Sequence, residues 1–175
     1  MGKIINFKDF PDFTPNLTPK QMFESGIMGG SYFRVIKSPD TGKIYKNNNK
    51  KFTFLKNIPS NMITNQEYNK NINKYKVKVG SSYEFWMEKK WINEKIDPYG
   101  WIQWYCNFYN GRRTTDDLRQ IKRWNNIVGK NGRFRKQLQN KINNSDKNDS
   151  NNFPKIRQIL LHWGFDSSKM RKKVN

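Results

Sequence analysis

The run from Tyr99 to Gly111, YGWIQWYCNFYNG, constrains the fold more than any other stretch, because apolar groups occupy nearly every side of it. Wound as a helix it leaves only Gln103, Asn107 and Asn110 as a polar strip, and a helix that is apolar almost all round has to be enclosed by protein. The sequence therefore predicts a central helix around residues 98–110, with a sharp start at Asp97 and Pro98 and a stop at Gly111. Cys106 lies within it and reads as a small buried hydrophobe rather than a nucleophile. Hydrophobic residues make up only 34% of the 175, but six Trp, eight Tyr and twelve Phe are among them. A core built from few, bulky side chains is thus feasible, and a chain of this length needs no second domain to bury it.

Ahead of the central helix, NFKDFPDFTPNLTPKQMFESG reads as an extended aromatic arm followed by a short helix that Thr18 caps, Pro19 opens and Gly26 ends. YFRVI at 32–36 reads as a strand running into the turn SPDTGK. Residues 43–80, rich in Lys and Asn, read as an insertion on a helical body. Within them KFTFL and KYKVKVG alternate like short strands, with Phe52 and Phe54 inward in one and Tyr75, Val77 and Val79 in the other.

Beyond Gly80 the period becomes helical. Ser82 can cap a helix to about residue 92 with Tyr83, Trp86, Met87 and Trp91 as its stripe. Thr115 can cap DLRQIKRWNNIVG, whose inward side is expected to carry Leu118, Ile121, Trp124 or Asn125, and Val128, with Asp116 and Asp117 in the first turn favouring the helix dipole. After the break GKNG, Phe134, Leu138 and Ile142 mark the inner face of the next helix. Residues 143–152 form a polar linker, Ile156, Ile159, Leu160 and Trp163 mark a last helix, and 169–175 make a basic tail. The expectation is a single α+β domain, its small N-terminal half containing the strands and its C-terminal half helical.

Charge points to function. Lys and Arg total 34 against 14 acidic residues, a net +20, more than solubility requires. Cations that neutralise phosphates release condensed counterions and so bind a polyanion without reading sequence. Residues 112–141 hold ten basic residues against two acidic ones. The expected interface comprises Arg112 and Arg113 in the turn, Arg119, Lys122, Arg123 and Asn126 on one helix, Lys130 in the break, and Arg133, Arg135 and Lys136 on the next. Planar guanidinium groups can hold phosphate oxygens in pairs, or can be spent on Asp116 and Asp117 as structural ion pairs. Two helices joined by GKNG have the scale of a helix-turn-helix. Double-stranded DNA with little sequence preference is the expected partner and RNA the second choice, since most of the aromatic residues belong in a core. A homodimer would double the phosphate contacts. The alternative is a virion or assembly protein whose basic face meets an acidic protein.

Other classes have less support. No apolar run reaches the roughly 20 residues of a spanning helix, and Asn6 stands where a myristoylated Gly2 would want Ser or Thr, so no membrane partner is expected. One cysteine excludes an intrachain disulfide and a thiolate zinc cluster and fits a reducing compartment. KMRKK at 169–173 fits either a nuclear signal or a solvated end. His162 is expected to cap or pack at a helix end. The carboxylates Glu24, Asp97, Asp116 and Asp117 have no spacing that gathers a metal pair, and GIMGG at 26–30 lacks the lysine of a P-loop and reads as a turn. Neither an enzyme nor a cofactor or metal is expected.

The stretches PDFTPNLTPKQMFESGIMGGSYFR, DPYGWIQWYCNFYNGRRTTDDLRQIKRW, GRFRKQL and IRQILLHWGFD, about half the chain, resemble an uncharacterised family of giant DNA viruses and assorted eukaryotes. The resemblance implies that Arg112, Arg113, Arg123, Arg133 and Arg135 lie in shared motifs and that residues 43–80 are more individual. It also implies a location in a cytoplasmic viral replication site or the particle if the source is viral, and in the nucleus if it is cellular.

Overall fold

In a computed structural model the described residues are 3–146 and 149–173, so Gly2, positions 147 and 148 of the polar linker and the last two of the basic tail lie outside them. The chain folds as one α+β domain around helix α3 (Trp101–Tyr109), in which Trp104, Tyr105, Cys106 and Phe108 are fully buried. Phe13 of the N-terminal arm inserts edge-on among Tyr105, Phe108 and Trp124, with ring centroids 5.1–5.6 Å apart, a geometry that matches positive ring edges to negative faces. The two ends of the core are tied together: Asn16 exchanges hydrogen bonds with the backbone of Asp166, and the Gly164 carbonyl accepts from the N–H groups of Asn16 and Leu17.

The polar strip expected on α3 is not a wet face. Gln103 is buried, its Oε1 accepting the Tyr99 N–H at 2.9 Å while its own N–H donates to the Tyr32 hydroxyl. The first N–H groups of a helix have no partner within it, and here enclosed polar side chains supply acceptors. Asn107 donates to Asp97, which leaves Asn110 as the exposed member.

Helix α1 (Pro19–Ser25) forms as expected, with Thr18 and Gln21 closing a reciprocal capping box. The sheet is smaller than expected. Strands β1 (Ile36–Lys37) and β2 (Ile44–Tyr45) pair antiparallel, Ile36 opposite Tyr45, across a turn in which Ser38 Oγ accepts from the N–H groups of Asp40 and Thr41. KFTFL is not a strand but part of two 3-10 turns, Asn48–Lys51 and Thr53–Leu55, which bury Phe52 and Leu55 three residues apart. KYKVKVG keeps its alternation, with Tyr75, Val77 and Val79 half-buried, but it too forms no ladder. Side chains take the place of a neighbouring strand, Asn73 Nδ2 donating to the Val77 carbonyl and the Tyr68 hydroxyl meeting the Val79 backbone.

The glycines of GIMGG explain how this irregular segment is held. The carbonyls of Gly26, Gly29 and Gly30 accept from the N–H groups of Lys74, Asn69 and Asn65, and the Gly29 N–H donates to Asn73 Oδ1. Gly26 and Gly30 have positive φ, and a Cβ on either would lie about 2 Å from a backbone carbonyl oxygen, so only glycine permits this approach.

Four further helices complete the domain: α2 (Tyr83–Glu88), α4 (Asp117–Ile127), α5 (Arg133–Asn143) and α6 (Pro154–His162). α2 stops early because Lys90 adopts a left-handed conformation and the Trp91 N–H returns to the Trp86 carbonyl. Leu118 on α4 was expected inward and is instead 73% exposed; Asp117, Gln120, Ile121 and Trp124 face the core. Asp117 determines this register, since its carboxylate accepts from the buried Trp104 indole and from Thr114, and turning Leu118 inward would remove that acceptor. On α5 Leu138 and Ile142 are buried and Phe134 partly so. On α6 Ile156 and Leu160 are joined in the interior by Arg157 and Gln158, which carry no such expectation from the sequence, and by His162, which packs at the helix end, while Ile159 and Trp163 are partly buried. Carbonyl oxygens of Asn152, Ser167 and Gly26 receive Arg157 and Gln158, which is what allows these polar groups inside.

Candidate nucleic-acid interface

Tertiary contacts divide the ten sequence-selected residues into three sets. Arg112, Arg113 and Arg119 each carry a carboxylate. Arg112 grips buried Asp97 with two nitrogens, Nη1 at 2.8 Å from Oδ1. Arg113 holds Asp9 through Nε and Nη2 and lies 3.8 Å above the centre of the Phe108 ring, and its hydrogen bond is the main reason the Asp9 carboxyl sits below its ordinary range. Arg119 pairs with Asp116 one turn earlier through two nitrogens and reaches the Trp91 carbonyl. Arg112 and Arg113 thus pin the turn to the segment before α3 and to the N-terminal arm, and Arg119 ties the start of α4 to the loop at Trp91.

Arg123 and Arg135 are held by aromatic faces. Arg123 lies 5.5 Å from the ring centres of both Trp91 and Trp163 and donates to the Trp91 carbonyl and to Gln120 Oε1. Burial, reinforced by neighbouring Arg119 and opposed by Asp116, pushes its pKa down to about 10. Arg135 lies 4.4 Å over Phe165, and burial lowers its pKa as well. A guanidinium on an aromatic face stays charged and keeps in-plane donors free to point outward.

The third set faces solvent. Lys122, Asn126, Lys130, Arg133 and Lys136 are exposed, and none of them enters a salt bridge among the described residues. Lys122 and Asn126 lie four apart on α4, Arg133 and Lys136 three apart on α5, and Lys130 in the break between, so each helix contributes neighbours on one side.

Sequence reasoning missed a cleft of about 590 Å³ beside these residues, lined by Trp86, Trp91, Trp101, Trp163 and Phe134 together with Arg123, Asn126 and Arg133. Among the described residues no carboxylate lines it. Trp101 and Trp163 are 4.9 Å apart at 46°, and the buried Trp101 indole N–H has no acceptor among the described residues. Trp86 and Trp91 had been read as one core-facing stripe; the break at Lys89 and Lys90 puts Trp91 on the rim instead, 37% exposed. A visible signal was the density of tryptophan itself, more than one helix face can bury.

His162 meets the cleft from below. It is buried, its Nε2 accepts the Met28 N–H at 3.1 Å and lies 3.0 Å from Gln158 Nε2, and burial pushes its pKa down to about 3. Among the described residues no three His, Cys, Asp or Glu side chains form a metal-binding group, and no helix is long and apolar enough to cross a membrane. Comparison with protein-family models, curated proteins and solved structures found no match to this chain.

Proposed function

We propose that this chain binds nucleic acid, double-stranded DNA first, through phosphate contacts along the exposed side of α4, the following break and α5, with little sequence preference. One observation carries the reading: Lys122, Lys130, Arg133 and Lys136 are four exposed cations in a fifteen-residue span with no carboxylate partner among the described residues, in a chain of net charge +20. A polyanion supplies the missing counter-charge, and its condensed counterions leave on binding. Arg112, Arg113 and Arg119 enter this reading as the groups that hold the face in place.

Competition among unrelated duplexes of equal length, with single- and double-stranded RNA alongside, tests the proposal at near-physiological salt. Expected are similar affinities across duplex sequences and a log–log salt slope of roughly −0.9 for each phosphate contacted. Strong preference for one short site, by about 1–3 kcal/mol for each base pair read, would replace phosphate tracking by base reading. Tighter binding to RNA would move the substrate class.

A further inference from the structure

We propose that the tryptophan-lined cleft takes one unpaired nucleobase, so that the protein favours nucleic acid in which a base is bulged or unstacked beside the α4–α5 face. The inference rests on the nucleic-acid reading above and gives it a substrate feature. A cleft of about 590 Å³ lies within the range of small-ligand sites, which are largely apolar with a few placed polar groups. Its chemistry narrows the occupant. Indole rings of Trp86, Trp91 and Trp163, none of them fully buried, line it and offer surface for stacking, and any base has a face to match.

The polar groups point the same way. Trp101, which lines the cleft, has a buried indole N–H without an acceptor among the described residues, and a buried donor left unmade is costly. Arg123 and Arg133 line the cleft, and no carboxylate of the described residues lines it with them. A cationic occupant, such as the methylated ammonium that aromatic cages hold, is disfavoured because it would meet the like charges of Arg123 and Arg133, which line the cleft. An anion is favoured, since Arg123 is partly desolvated and enters no salt bridge among the described residues. A nucleotide combines both requirements, a flat acceptor-bearing ring and an attached phosphate.

The test compares three duplexes of equal length: fully paired, with one bulged adenine, and with the same bulge made abasic. The abasic bulge keeps the phosphate and the backbone distortion but removes the ring. With the folded full-length chain at near-physiological salt, the adenine bulge is expected to bind about tenfold tighter than the abasic one, within what stacking a single base supplies, and to quench tryptophan emission. Trp91→Ala alters an exposed ring, while the Trp91 carbonyl that Arg119 and Arg123 use is retained; with each bulge read relative to the paired duplex bound by the same variant, it is expected to bring the two bulges to parity. Equal binding of both bulges by the unmodified protein would overturn this proposal while leaving the phosphate reading intact, and so would a Trp91→Ala variant that keeps the full preference. Absence of binding to all three would overturn both.

Discussion

His162 is the sole histidine, and its burial makes it a titration point for the whole fold. Its pKa is about 3 in the folded chain against roughly 6.5 when unfolded. Between those values the unfolded chain binds a proton that the folded chain does not, so stability falls as pH drops below about 6.5 and is fully present above it. This group alone is expected to make the protein about 2 kcal/mol less stable at pH 5 than at pH 7.5, read by denaturant titration at both values. His162→Gln should flatten that difference; an unchanged pH dependence would show that the imidazole titrates normally. A second residue-scale prediction concerns Asp97, which is 1% exposed and holds Arg112 and Asn107. Replacing it with Ala leaves a guanidinium without its partner, and the expected loss is about 3 kcal/mol, the low end for breaking a buried pair because Arg112 keeps some contact with water. A loss under about 1 kcal/mol would mean that Arg112 finds water as readily as it found Asp97.

At the scale of elements, helices could be read from periodicity and caps and the β1–β2 hairpin from YFRVI and the turn SPDTGK, whereas the strands expected at KFTFL and KYKVKVG did not form. Thr18, Ser82 and Pro19 opened the helices assigned to them, since capping depends on neighbours only a few residues away. KFTFL and KYKVKVG had the right alternation for strands, but a strand needs an edge to pair with, and the glycine-rich turn at 26–30 offers isolated carbonyls instead of a ladder. Gly30→Ala, which would force a Cβ about 2 Å from the Asn61 carbonyl, is expected to destabilise by more than about 2 kcal/mol, with thermal melting as the check. Register on α4 was ambiguous for a different reason: the set Leu118, Ile121, Trp124 or Asn125, and Val128 and the set Asp117, Gln120, Ile121 and Trp124 both recur at three- and four-residue steps. The choice was made by Asp117, through the indole of Trp104 on another helix. Accordingly Leu118→Gln should change stability by no more than about 0.5 kcal/mol, while Ile121→Ala should cost about 2–5 kcal/mol, and the reverse order in a denaturant series would contradict the register described.

For the molecule as a whole, the charge that dominated the sequence is distributed into tasks that the sequence did not separate. Acidic residues distant in the chain, Asp9 and Asp97, took up Arg113 and Arg112, and aromatic faces took up Arg123 and Arg135. Long-range pairings of this kind follow from the fold and leave no local signature, which is why an arginine count overstated the cations open to a ligand. What stays open on α4 and α5 is mainly lysine, and the central claim is that this face tracks phosphates. The direct measurement replaces Lys122, Lys130, Arg133 and Lys136 with Gln and compares the variant with one carrying Gln at Lys46, Lys50, Lys56 and Lys70, four exposed lysines of the 43–80 segment. Both lose the same charge, and both are checked for retained helical signal. At near-physiological salt the α4–α5 variant is expected to lose clearly more affinity for duplex DNA, with its salt slope shallower by about 0.9 for each phosphate contact removed. Equal losses in the two folded variants would contradict the account by showing diffuse attraction to a basic protein, and no loss in the α4–α5 variant would exclude that face as the site.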